Sequence, residues 1–279
     1  MLQVHCTARI FLLAILSTLT CRSAGQFSTV GSTVLATADP SKCTTYVLPT
    51  GNVEFDQALY AAVHENWTLS PVGDLKDLGD KVDLSIPQRT YIVFLDGGLR
   101  RSLALVRGGS ENQLHDLGSK DILATAPIGS VRNENTIDQC AYRIPLMVAS
   151  LQQIMELRMQ DEMGLVSPVE LNRKAPPLRP EELLVEEAML RPAEVEALKD
   201  AVGRVLRLVD RTAIEKAIDE RQPGTTLLVP VFGQLFDLIV YDLETRKCVF
   251  LQRHGLTDYK VDLGEKHLKM LKQKFEARP

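Results

Sequence analysis

A shift of 139 residues lays the second half of this chain over the first: Leu59 falls on Leu198, Val63 on Val202, Trp67 on Leu206, Leu69 on Leu208 and Leu75 on Ile214. The order of elements read from apolar spacing repeats as well: strand, helix, strand, helix, strand, turn, strand. Self-similarity at a fixed period constrains the fold more than any single motif, because each copy must solve the same burial problem. Strand–helix–strand units imply parallel neighbours joined by right-handed crossovers. The expectation is an α/β chain of two similar β-α-β-α-β-β units, an internal duplication. Its sheets are expected to be mostly parallel, and a long helix and a Pro-rich linker join the units.

The elements follow from local spacing. Thr44 to Leu48 is β-branched and aromatic, hence a strand, and Pro49 to Asn52 is a turn. Phe55, Leu59 and Val63 recur every four residues and predict a helix over 53–65. Trp67 and Leu69 read as a second strand, and Leu75, Leu78 and Val82 as a helix over Asp74 to Val82. Thr90 to Leu95 and Ser102 to Val106 read as strands around Gly97 and Gly98. Pro145 opens a long helix with Met147, Leu151, Ile154 and Met155 on one face and Gln152, Gln153 and Glu156 facing away. Pro168, Pro176, Pro177 and Pro180 mark the linker.

In the second half, Leu183 to Val185 reads as a short strand or as part of a helix opened by Pro180. A helix starts at Pro192, Val205 to Val209 is a strand, and Thr212 with Glu215 forms a capping-box pair. Thr226 to Val231, Leu235 to Tyr241 and Lys247 to Leu251 are strands, and Gly264 to Arg278 is a basic helix. The boundaries expected are a signal at 1–25, a polar stretch at 26–43, a first unit at 44–165, a linker at 166–180 and a second unit at 181–279.

Residues 1–25 carry the export reading. Arg9 precedes the apolar run Ile10 to Leu19, and Ser23, Ala24 and Gly25 suit cleavage before Gln26. The run is about half the roughly 20 residues that a membrane-spanning helix needs. Lipid anchoring through Cys21 is the minor alternative, with Thr18 and Thr20 departing from the usual lipobox pattern. Secretion or a periplasmic location is therefore expected, with no membrane span after cleavage. The net charge is −4 over 279 residues, and cleavage leaves 30 basic against 36 acidic side chains, −6. That sign disfavours a nucleic-acid partner. Cys43, Cys140 and Cys248 would remain, spaced about a hundred residues apart. They allow one disulfide, but read first as buried small hydrophobes.

Catalytic signatures are missing from the sequence. It contains no G-x-G-x-x-G, P-loop, H-E-x-x-H or G-x-S-x-G pattern. The histidines show no metal-ligand spacing, so neither a cofactor nor a metal is expected. One site has a physical basis. In parallel α/β sheets ligands bind beyond the carboxyl ends of strands, where helix N-termini present open N–H groups. Asn52, Asp74, Asp96, Asp210 and Thr212 fall at those ends. Asp74 with Asp96 would form a carboxylate pair for acid–base work. The plainer reading makes Asp74 and Thr212 helix caps and Asp96 turn chemistry.

The stretch from Thr45-Tyr46-Val47-Leu48-Pro49-Thr50-Gly51 to His64-Glu65-Asn66-Trp67-Thr68-Leu69 is one of three that carry a family likeness. The others are Val205 to Ile218 with Thr225 to Val231, and the signal followed by Gln26. The whole resembles uncharacterised secreted bacterial proteins with a duplicated α/β unit. The resemblance implies the fold and export, and brings no catalytic residue with it. Two functions compete. The first is an exported, non-enzymatic interaction or scaffold protein of the cell envelope, whose hairpin edge accepts a partner strand. The second is an exported enzyme or small-ligand binder that uses the strand-end crevice. A homo-oligomer built through an exposed edge is a third possibility.

Overall fold

A computed structural model describes residues 39–78, 82–96, 101–110, 117–118, 120–129, 137–160, 171–172, 178–232, 235–255 and 263–276. The signal, most of the linker, Gly97, Gly98, Gly233 and Gln234 lie outside these residues.

The first sheet holds β1 (Thr44–Val47), β2 (Arg89–Asp96), β3 (Arg101–Arg107) and β4 (Ile122–Gly129) in that lateral order. The second holds β5 (Glu182–Glu186), β6 (Leu206–Val209), β7 (Thr225–Phe232), β8 (Leu235–Asp242) and β9 (Cys248–Gly255), ordered β6-β5-β7-β8-β9. Five α-helices accompany them among the described residues: α1 (Val53–Asn66), α2 (Ile144–Gln160), α3 (Pro192–Val202), α4 (Arg211–Asp219) and α5 (Glu265–Glu276).

The chain is α/β, but its sheets are mixed rather than mostly parallel. Among the named strands of the described residues, parallel pairing joins β1 with β2 and β5 with β6 and β7, where helical crossovers connect the strands. Beyond them the chain turns back in hairpins, and β2–β3, β3–β4, β7–β8 and β8–β9 are antiparallel. β4 escapes a reading by strand propensity, because Ala124, Ala126, Pro127 and Gly129 are poor strand formers.

Two further elements differ from expectation. Trp67 to Leu69 is not a strand; this stretch reaches the sheet only through a parallel bridge of Val72 to Thr45. Pro71 lacks an N–H to donate, and buried hydroxyls hold the stretch instead. Thr45 Oγ1 meets Ser70 Oγ at 2.5 Å and Thr90 Oγ1 at 2.8 Å, and Trp67 Nε1 donates to Ser70 Oγ at 3.0 Å. The expected helix over Asp74 to Val82 is a 3₁₀ turn, Leu75–Leu78, with 79–81 outside the described residues. Asp74 and Asp77 favour local backbone bonds over helix, and Asp74 Oδ1 accepts from the Lys76 N–H at 3.0 Å.

One core joins both halves. Apolar faces of β2, β3 and β4 (Ile92, Leu103, Leu105, Ala126) and of β7 and β8 (Leu227, Val229, Ile239) belong to one cluster. Between them lie α1, α2 and α4, through Leu59, Val63, Met147, Leu151, Ile214 and Ile218. The helix expected to join the units thus lies in a layer shared by both sheets. Leu146, Met147, Val148, Leu151 and Met155 are all fully buried, each contributing about 1.5–3 kcal/mol of transfer free energy. The outer face of the second sheet packs α3 and α5 through Leu198, Leu268 and Leu271. The outer face of the first packs Leu78 and Leu84 over Tyr91 and Val106.

Candidate functional sites at the strand ends and sheet edges

Each sequence-predicted site residue is engaged in local structure. Asn52 is the N-cap of α1 and accepts from the Phe55 N–H at 2.9 Å. Asp74 is exposed in its turn beside Lys76. Asp96 ends β2 and pairs with Arg101 at 3.5 Å. Asp210 is the N-cap of α4 and accepts from the Ala213 N–H at 2.8 Å. The cap therefore falls on Asp210 and not on the expected Thr212, which is exposed in the first turn of α4. Asp210 keeps an extended conformation (φ −77°, ψ 169°), so the helix begins two residues earlier than the capping-box spacing suggests.

Asp74 and Asp96 are not brought together. Val72 flanks β1 on the side away from β2, and Asp96 lies four residues beyond Ile92, the partner of Val47. Strand geometry separates the two carboxylates by more than about 10 Å, too far for a shared proton.

Two clefts do form at strand ends. One of about 320 Å³ is lined by Val47, Pro49, Tyr60 and Leu75. Its one carboxylate, Asp56, is taken up by the loop, accepting from Thr50 N, Thr50 Oγ1 and Gly51 N at 2.7–3.0 Å. The other, of about 560 Å³, lies between the ends of β5 and β6. Its buried carboxylate, Glu186, accepts from Arg211 at 3.0 Å and from the Tyr142 hydroxyl at 2.6 Å. The Arg211 guanidinium lies 5.3 Å from the Tyr142 ring centroid. Sequence reasoning missed Glu186 and Tyr142, because their meeting depends on how the halves pack.

A second polar cluster locks the halves at the far end of α1. Glu65 pairs with Arg221 at 3.0 Å and with Arg246 at 2.9 Å. Arg246 is 3% exposed and also donates to Asn66 Oδ1 at 2.9 Å and Ile218 O at 3.1 Å. Burial raises the Glu65 pKa, but the hydrogen bonds and charges of Arg221 and Arg246 outweigh it and leave the carboxyl below its ordinary range. Cys43, Cys140 and Cys248 are buried thiols without a disulfide, and burial pushes Cys248 up to about 12, which leaves it unreactive.

The sheet edges are treated unequally. Along β9, Gln153 donates to Cys248 O and accepts from Cys248 N, both at 2.9 Å. Asn172 does the same at Leu251, at 2.7 and 2.8 Å. Two amide side chains thus stand where a neighbouring strand would bond. On β4, Ile122 to Ile128 are all buried, and Arg158 donates to the Leu123 carbonyl. The edge at 67–73 carries Pro71, and its Thr68 N–H is taken by Gln152 at 2.7 Å. β6 differs: among the described residues it pairs with β5 alone, and the one other bond to its backbone comes from the preceding turn, where Gly203 O accepts from the Leu206 N–H. Arg207 on this strand is exposed and pairs with Glu182 at 3.4 Å, and Arg204 is exposed just before it.

The expected accepting edge was a hairpin edge, and the hairpin edge of the second sheet, β9, is closed by Gln153 and Asn172. No signal in the sequence connects Gln153 with β9 beyond its lying off the apolar face of α2. No helix among the described residues is long and apolar enough to cross a membrane, and no cluster of three metal-ligating side chains occurs among them. No protein-family model, no curated protein and no solved structure matches this chain.

Proposed function

We propose that the chain is an exported, non-enzymatic interaction protein of the cell envelope, built by tandem duplication of one α/β unit. The single observation that carries the interaction reading is the open edge of β6 beside three closed ones. An open edge offers a row of backbone donors and acceptors to a partner segment. Export rests on the signal-like sequence of residues 1–25. Duplication is supported by two matching series: β1, α1, the Val72 bridge, the 3₁₀ turn, β2, β3, β4, α2 and then β5, α3, β6, α4, β7, β8, β9, α5. In this reading the units stack head to tail. α1 and α2 lie in the shared layer, whereas their counterparts α3 and α5 lie outside.

Photo-crosslinking tests the interaction reading in the cells that make the protein. A benzophenone side chain at position 204 is expected to capture a protein partner, while one at Glu244, exposed on the β8–β9 turn, captures none. Absence of any adduct at position 204 and at Tyr60 on α1 contradicts the reading. A second reading, small-ligand binding, is favoured by the buried Glu186 at its cleft. Native mass spectrometry of gently extracted protein decides it: an added small mass supports a ligand, and a bare protomer mass removes it.

A further inference from the structure

We infer that the β6 edge accepts an extended partner segment that alternates apolar and acidic residues, added as a strand to the second sheet. The inference rests on the interaction reading above and names the partner's chemistry. Alternation follows from the two faces of β6. Leu206 and Leu208 belong to the side covered by α3, beside Leu198 and Val202. Arg207 points to the other side, where its pair with Glu182 is largely solvated and easily exchanged. A strand laid against β6 therefore meets half-buried leucines on one face and a cation on the other. Arg204 adds a second exposed cation at the start of the strand.

A second copy of this chain is the poorer occupant. Two-fold antiparallel pairing that keeps Leu206 and Leu208 on a common face sets the two Arg207 side chains directly opposite or diagonally adjacent. Like charges in those positions are destabilising. The same arginine that repels a copy attracts a carboxylate, so the edge is closed to itself and open to an acidic strand. The length of β6, four residues, suits a short linear segment rather than a whole sheet.

The probes are two terminally blocked seven-residue peptides, valine alternating with glutamate and valine alternating with lysine. The glutamate peptide is expected to bind the full-length protein roughly tenfold more tightly at low salt, from a few exposed charge pairs. Salt narrows the gap. Hydrogen exchange at residues 206–209 slows on binding. Arg207→Glu, at an exposed position, reverses the preference. N-methylation of the glutamate peptide on alternate residues abolishes binding in one of the two registers, because it removes the edge-facing donors. Equal binding of both peptides, unchanged exchange at 206–209, or a dimer that already protects β6 overturns the inference. If the peptides fail while position 204 still crosslinks to a protein, the partner chemistry is wrong and the interaction reading stands. If the peptides fail and neither position 204 nor position 60 gives an adduct, both fall.

Discussion

Alanine at Leu151 is expected to lower the stability of the entire chain by about 2–5 kcal/mol, measured by urea unfolding. Leu151 is fully buried on α2, in the cluster that contains apolar residues of both sheets. Removing its side chain opens a cavity in a layer that cannot close without moving one sheet toward the other. The loss therefore combines the transfer free energy of the removed atoms with the cavity left behind. A surface helix packed by one face only would tolerate the change far better. A loss below about 1 kcal/mol would place α2 at the margin of the fold.

Arg246→Ala has the second large effect, about 3 kcal/mol, because it removes a buried cation that satisfies several acceptors at once. Glu65 keeps the Arg221 side chain and the Ile218 carbonyl keeps the Arg221 N–H, but both lose the Arg246 guanidinium, and Asn66 Oδ1 loses its donor. Backbone conformation adds a discriminating control. Arg246 has φ +58°, in the left-handed region. Glycine there forgoes the same hydrogen bonds without the strain, so Arg246→Gly is expected to be milder than Arg246→Ala by about 1 kcal/mol.

The same cluster fixes a pH dependence. The folded-state pKa of Glu65 lies below its ordinary value, so its contribution is fully present above the ordinary glutamate range. It is lost as pH falls through the lowered value. Arg246→Ala raises that value back toward normal, so the variant's stability changes less with pH over the acid range than the parent's does. A variant with unchanged acid sensitivity contradicts the role given to Arg246.

Local elements were legible where a single segment decides them. Phe55, Leu59 and Val63 mark α1, and its counterpart α3 follows from Leu198 and Val202 at the same spacing. A 139-residue shift carries the end of β1 onto that of β5 and the start of α1 onto that of α3. Elements fixed by tertiary partners were not legible. β4 has weak strand propensity and forms by pairing with β3 and packing on α2. Trp67 to Val72 has strand-like alternation, yet buried hydroxyls and Pro71 decide its path. The candidate site was legible only as a set of strand ends. Turn and cap residues collect there for local reasons, as Asn52 and Asp210 do. The open β6 edge depends on which side chains reach the other edges, and Gln153 and Asn172 reach across 95 and 79 residues.

Both sheets contribute to one core, so the chain is expected to unfold as one. Trp67 is the chain's single tryptophan and sits in the first unit, 4% exposed. Leu238 is fully buried on the opposite, outer side of the second sheet. The most direct measurement is the urea midpoint of Trp67 fluorescence in the Leu238→Ala variant. This midpoint is expected to fall together with amide-exchange protection of β8, although the substitution is in the other sheet. A Trp67 midpoint that stays at the parent value while β8 loses protection would show two independent domains and contradict the shared core.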